Sequence, residues 1–161
     1  MQNADILNNA KVQDFLTRIA ASEEIRYECV SDDPELAPRR AYDGDAGLDL
    51  AITHDVTLYP GETEYIPSNV RFFMPTGYAT IVMPRTSSFK NRVNVIPTLI
   101  DSSYQGEASS IITNNNTYPV QLKKGMRLAQ AVVVPYFLFN HELTEQGFLP
   151  QRGGGKFGSS G

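Results

Sequence analysis

The chain has no tryptophan, one cysteine, two histidines and fewer basic than acidic side chains. Each scarcity removes a class of protein. A single cysteine, Cys29, cannot close an internal disulfide, which excludes a disulfide framework and fits a reducing compartment. Nothing nearby supplies Cys29 with a base, so it reads as a small hydrophobe and not a nucleophile. His54 and His141 stand alone, are expected at the surface, and offer no His/Cys set spaced to bind a metal directly. Lys+Arg number 14 against 18 Asp+Glu, and the resulting charge of -4 argues against stable nucleic-acid binding. An anionic ligand must then be met by a few local arginines or by a divalent metal. No apolar run is long enough to span a bilayer and no leader peptide is recognisable, so a cytoplasmic protein that avoids membranes is expected.

What is present divides the 161 residues into three parts. Residues 1–25 read as an N-terminal helical extension, 26–150 as one β domain and 151–161 as a C-terminal arm. In the first part, Ile6, Leu7, Val12, Phe15, Leu16, Ile19 and Ala20 approximate a helical stripe between Asn3 and Ala21. Asn and Asp around Asn3 to Asp5 can cap it, giving one amphipathic helix or two short ones. Its polar face is not basic, so packing on the body or on a sister subunit is expected instead of membrane contact. Asp32 through Arg40 reads as a loop.

From Ala46 onward the pattern becomes short alternating segments. Thr63–Ile66, Val70–Met74, Tyr78–Met83 and Ala129–Phe139 read as strands, punctuated by Pro60-Gly61, Pro75-Thr76-Gly77, Asn114-Asn115-Asn116 and Lys124-Gly125. Many short strands with almost no helix between them predict a mainly β fold, an antiparallel sandwich or barrel. The last ten residues, Arg152-Gly153-Gly154-Gly155-Lys156-Phe157-Gly158-Ser159-Ser160-Gly161, have no apolar periodicity, and their glycines are costly to order. They read either as a plain tail or as an arm that orders on a ligand. In the second case glycine amides approach an anion, Arg152 grips phosphate and Phe157 lies on a base.

Arg85, at a strand end and followed by the hydroxyls of Thr86, Ser87 and Ser88, can bind phosphate oxygens or sit in a solvated loop. Asp101 follows two apolar residues, Leu99 and Ile100, where a buried strand opens into a turn. Its carboxylate can deprotonate a water or can cap the turn. Tyr104 can pack on a sugar or form a core edge. Arg127 and Gln130, at a strand start, offer a structural ion pair and a phosphate donor.

Five segments follow one another along the chain: Ala46-Gly47-Leu48-Asp49-Leu50-Ala51, Pro84 to Lys90, Leu99 to Glu107, Gly125-Met126-Arg127-Leu128-Ala129-Gln130, and the arm. In this order they resemble the five motifs of the trimeric deoxyuridine triphosphatases, the dUTPases, over about Ala46 to Gly161. The resemblance implies a distorted jelly-roll, β-clip-like domain that forms a homotrimer with sites shared between subunits. It implies hydrolysis of dUTP to dUMP and pyrophosphate, a viral or phage source being compatible with the compact chain. Asp101 would activate the water that attacks the α-phosphorus, and Tyr104 would stack on deoxyribose and exclude a 2′-hydroxyl. The hairpin around Leu99 and Ile100 would read uracil, while Arg85, Thr86, Ser87 and Gln130 meet the phosphates, with Asp49 and Arg127 supporting them. Phe157 would cover the uracil, Arg152 the γ-phosphate, and Gly158, Ser159 and Ser160 would complete the arm's contacts. Mg2+ would ride on the triphosphate through water, with no direct protein ligand.

The chain departs from the family pattern at Thr86, where serine is usual and the frame can shift onto Ser87-Ser88. It departs again at Thr98 in the base-reading hairpin, at Ser103, and at Lys156 in the arm. Two alternatives remain. One is a dCTP deaminase-like enzyme, which leans on a glutamate where this chain has Gln105 and a phenylalanine where it has Tyr104. The other is a dUTP-gated regulatory protein whose ordered arm signals to a protein partner.

Overall fold

Eleven short strands and two helices make up the computed structural model, which describes residues 9–20 and 25–138, without the side chains of 18–20. The long strands, β6 (Tyr78–Pro84) and β11 (Arg127–Pro135), pair antiparallel through the middle of the molecule. Each is launched by a glycine in the left-handed region, Gly77 (φ 99°) and Gly125 (φ 82°), where a side chain would strain the turn. With β2 (Leu48–Ala51) and β8 (Thr98–Ile100) they form a four-stranded sheet of order β2-β11-β6-β8. β4 (Thr63–Pro67), β9 (Ser109–Thr113) and β7 (Asn94–Ile96) form a second sheet of order β4-β9-β7. Two ribbons complete the domain: β1 (Arg26–Cys29) with β5 (Val70–Phe73), and β3 (Val56–Leu58) with β10 (Val120–Leu122). Every pairing is antiparallel, as the alternating segments predict.

The core forms where the alternating apolar residues of these sheets meet. Leu50, Ile52, Ile66, Val70, Val82 and Ile112 have no exposed surface. β2 is buried at all four positions, including the charged Asp49, so its polar atoms must find partners inside the protein. A register shift between Arg127 and Ala129 breaks the β11–β2 ladder. Such bulges re-aim side chains: Leu128 goes into the core while Arg127 turns toward the loop before β2.

Helix α1 (Ala10–Ala20) lies inside the predicted extension. It is capped by Asn9, whose side-chain oxygen accepts the Lys11 amide at 3.0 Å. The residues predicted to cap it, Asn3 to Asp5, lie outside the described residues. Phe15 packs on Phe137 with ring centroids 5.3 Å apart, so the helix rests partly on the segment following β11. The second helix, α2 (Thr86–Lys90), replaces the loop expected after Arg85. β11 stops at Pro135, opposite Tyr78 where its partner β6 begins, and the expected end at Phe139 lies outside the described residues. Among the described residues no helix is long and apolar enough to cross a membrane.

Candidate active site

The predicted site residues gather at two places. The first lies where β6 ends and α2 begins. The Arg85 N–H donates to the Leu128 carbonyl at 2.9 Å, fixing this residue beside β11. Its guanidinium is held on two sides. Nε pairs with Asp49 Oδ1 at 2.7 Å, and Nη1 donates to the Arg127 carbonyl at 3.0 Å. Asp49 is only 6% exposed, so this ion pair forms mostly out of water, where its charge-assisted bond is strong. Arg85 Nη2 has no partner among the described residues.

Arg127 supports the cluster from behind. Its Nη1 donates to the Asp49 carbonyl at 3.0 Å, and its Nη2 donates to the carbonyls of Glu35 and Ala37 at 2.9 Å each. The structural role expected of it is therefore carried by carbonyls; among the described residues it has no ion pair. Burial lowers its affinity for a proton, and repulsion from Arg39 adds to this, with Asp49 opposing and Arg85 contributing in the same direction as Arg39. An arginine remains charged at neutral pH even so. Three arginines, Arg39, Arg85 and Arg127, thus share this end of the sheet with two carboxylates, Asp49 and Glu35, which leaves a local excess of positive charge on an acidic protein.

The three hydroxyls after Arg85 divide clearly. Ser87 Oγ donates to the Arg127 carbonyl at 2.6 Å, and the buried Ser88 donates to the Arg85 carbonyl at 2.6 Å. Thr86 is exposed and its hydroxyl has no partner among the described residues, so the free donor stands directly after Arg85. Gln130 faces Asp49 across β2 and Met83 across β6, and its Nε2 donates to the Pro84 carbonyl at 3.1 Å. Gly47 makes this possible: a β carbon there would collide with the Gln130 amide.

The second place lies between β8 and β9, which follow one another in the chain but belong to different sheets, so the expected hairpin around Leu99 and Ile100 is not a paired one. Between the two strands and the turn that joins them is a cavity of about 210 Å³, lined by Thr98, Leu99, Ile100, Tyr104, Glu107, Ala108, Ser109 and Ile111, with Tyr65 at the side. That volume is below the few hundred Å³ of a whole-ligand pocket and suits one end of a larger ligand. Asp101 follows the strand and is exposed; its backbone carbonyl accepts the Tyr104 N–H at 3.0 Å, closing the turn. Among the described residues its carboxylate has no hydrogen-bond partner, so the turn is capped by main chain and the carboxylate is left for other work. The Tyr104 hydroxyl donates to the Glu107 carbonyl at 3.3 Å, and its ring lies where a β carbon on Gly106 would be.

Tyr65, Glu107, Ser109 and Ile111 were not legible as site residues in the sequence. Tyr65 enters because β4 pairs with β9 in a register that sets it opposite Ile111, on one face of the sheet. Arg152, Phe157, Gly158, Ser159 and Ser160 lie outside the described residues.

The two places are not adjacent within one chain. Ile100 pairs with Thr80, near the start of β6, while Arg85 follows its end. Five residues of strand separate them, about 17 Å at the usual rise.

A family model described as dUTPase matches residues 34–161, which include both clusters. The chain belongs to the dUTPase family. A deoxyuridine 5′-triphosphate nucleotidohydrolase from Cutibacterium acnes is 39% identical over 132 residues, covering 80% of this chain and 87% of the relative. One from Clostridium tetani is 34% identical over 140 residues, covering 85% and 96%. Among solved structures, the Staphylococcus bacteriophage 80alpha dUTPase with dUpNHpp superimposes with a TM-score of 0.76 at 23% identity, covering 85% of this chain and 98% of that one. A variant of the dUTPase from phage phi11 of S. aureus, described with a structural Mg(II) ion, gives 0.68 at 23% identity, covering 76% and 97%. These structures share the dUTPase fold. The dUTPase match begins after α1 and β1.

Proposed function

We propose that this dUTPase hydrolyses dUTP to dUMP and pyrophosphate at sites assembled between the subunits of a homotrimer. The observation that carries the reading is the cavity between β8 and β9, with Tyr104 on its wall and an uncommitted carboxylate, Asp101, immediately after the lining residue Ile100. Uracil enters between Leu99–Ile100 and the β9 arm, where main-chain groups read its edge. Tyr104 lies on the deoxyribose and occupies the space a 2′-hydroxyl would need. The phosphates meet Arg85 Nη2, the Thr86 hydroxyl, the Ser87 amide and the Gln130 amide. Asp49 and Arg127 keep Arg85 aimed. The separation of about 17 Å along β6 supports a site that takes its nucleoside half from one subunit and its phosphate half from another.

Asp101 accepts a proton from water as the water oxygen bonds to the α-phosphorus. The bond from that phosphorus to the α–β bridging oxygen breaks, and pyrophosphate leaves with the bridging oxygen. Holding water and phosphate in line supplies much of the rate. Among the described residues there is no group of three His, Cys, Asp or Glu side chains placed to hold a metal. The exposed carboxylate of Asp101 suits the water shell of a Mg2+ that would be carried by triphosphate oxygens. When bound, the ion would neutralise phosphate charge. The arm would complete the site, Phe157 over the uracil, Arg152 at the γ-phosphate, and Gly158, Ser159 and Ser160 beside the phosphates.

The test is incubation with magnesium and each of dUTP, dCTP, dTTP and UTP, with products separated by ion exchange. Conversion of dUTP alone to dUMP and pyrophosphate is expected. Conversion of dCTP to dUTP would move the chain to deamination, and equal hydrolysis of UTP would remove the role given to Tyr104.

A further inference from the structure

We infer that Glu107 is a positioning residue for sugar discrimination: its carboxylate, anchored on the amide of Asn69, fixes the turn that carries Tyr104. The inference rests on the reading of Tyr104 as the residue against the deoxyribose. Asn69 is a fixed point. It is 2% exposed, sits in the left-handed region at φ 57°, and has each of its polar groups engaged. Its Oδ1 accepts the Ser31 amide at 2.7 Å, its Nδ2 donates to the Ser31 carbonyl at 3.2 Å, and its carbonyl accepts the Val30 amide at 3.1 Å. The remaining group, its backbone N–H, donates to Glu107 Oε1 at 2.7 Å. A carboxylate bond of that length is among the stronger tethers a protein makes.

Glu107 is held in a second way. The next residue, Ala108, is buried and donates its amide to Val70 at 2.8 Å while accepting that of Ser68 at 2.9 Å. With side chain and following peptide both fixed, the Glu107 carbonyl has a set position, and that carbonyl receives the Tyr104 hydroxyl. Gly106 lets the ring fold back to reach it. The phenol therefore takes its height over the cavity from Glu107, and Glu107 takes its own from Asn69. Discrimination against a 2′-hydroxyl is a matter of clearance. A wall free to move aside would admit UTP.

Steady-state kcat and KM for dUTP and UTP would be measured on the wild type, Glu107→Ala and Glu107→Gln, with melting temperatures in parallel. Glutamine keeps an oxygen for the Asn69 amide and should keep the dUTP-over-UTP ratio of kcat/KM. Alanine should lower that ratio by about tenfold, the scale of one lost charge-assisted bond, with UTP gaining relative to dUTP. A ratio unchanged in Glu107→Ala, or equal losses on both substrates as direct ligand contact would give, overturns the inference. If Glu107→Ala does not fold, Tyr104→Phe removes the same link from the other side, and an unchanged ratio there overturns it as well. A wild type that does not distinguish dUTP from UTP would instead fail the reading of Tyr104, taking this inference with it.

Discussion

At the scale of single residues the site is built as much from small side chains as from reactive ones. Gly47 and Gly106 mark where Gln130 and Tyr104 must pass, and each substitution should act on its neighbour. Gly106→Ala should displace the Tyr104 ring, raising KM for dUTP while changing melting temperature little; an unaltered KM would show that the ring is free to move elsewhere. Asp101→Asn keeps size and exposure but loses the base. Binding of dUTP, followed by calorimetry, should survive while kcat falls by at least a hundredfold, the usual share of general-base catalysis. A wild-type kcat would eliminate Asp101 as the base. Asp101 and Arg85 stood out as candidates because Asp after Leu-Ile and Arg before three hydroxyls are local patterns; those patterns left each with two readings, and the roles proposed for them come from the family resemblance. Tyr65 and Glu107 did not stand out, because they reach the cavity through strand register and turn closure that no local pattern encodes.

Among the elements, β6 and β11 were readable from alternation and from their glycine turns. α2 was not: five residues, Thr-Ser-Ser-Phe-Lys, are too few to show a helical period, and its serines satisfy carbonyls that the sequence alone leaves unpaired. The sheets meet at Ile112, so Ile112→Ala should cost about 2–5 kcal/mol in chemical denaturation, as expected for a fully buried isoleucine. The turn entering β11 is tied by charge. Lys123 Nζ pairs with Asp55 at 2.9 Å and Lys124 Nζ with Asp33 at 2.6 Å. The Lys124 side chain, then the Glu35 amide, hold Asp33 below the ordinary carboxylate range; the Lys123 side chain, then the Lys124 amide, do so for Asp55. Depressed carboxylates stabilise the fold above their unfolded value of about 3.9, and that contribution is lost as pH falls through the lower folded value. Melting temperature should therefore drop below about pH 4, less steeply in Asp55→Asn and in high salt. Equal acid limbs for the variant and wild type would show that this turn contributes nothing measurable.

For the whole molecule, the fold class and the order of the site segments were visible in the chain, whereas their distribution in space was not. Sequence order sets Pro84–Lys90 near Leu99–Glu107, yet antiparallel pairing of β6 with β8 sends them to opposite ends of one strand. This gives a complementation test. Asp101→Asn disables one half and Arg85→Ala the other, so each pure variant should be nearly inactive. After mixing, unfolding and refolding together, mixed trimers should regain a measurable fraction of wild-type turnover, since some interfaces then join two intact halves. No recovery, or a monomer mass by light scattering, would argue that each chain carries its own complete site.

The distance between Thr80 and Arg85 also has a consequence for how such an enzyme behaves in a cell. If neither half functions alone, turnover depends on encounters between chains, and specific activity should fall on dilution even though every polypeptide stays folded. Newly made chains would be silent until enough had accumulated to associate, so nucleotide hydrolysis would switch on with expression level more sharply than in proportion to it.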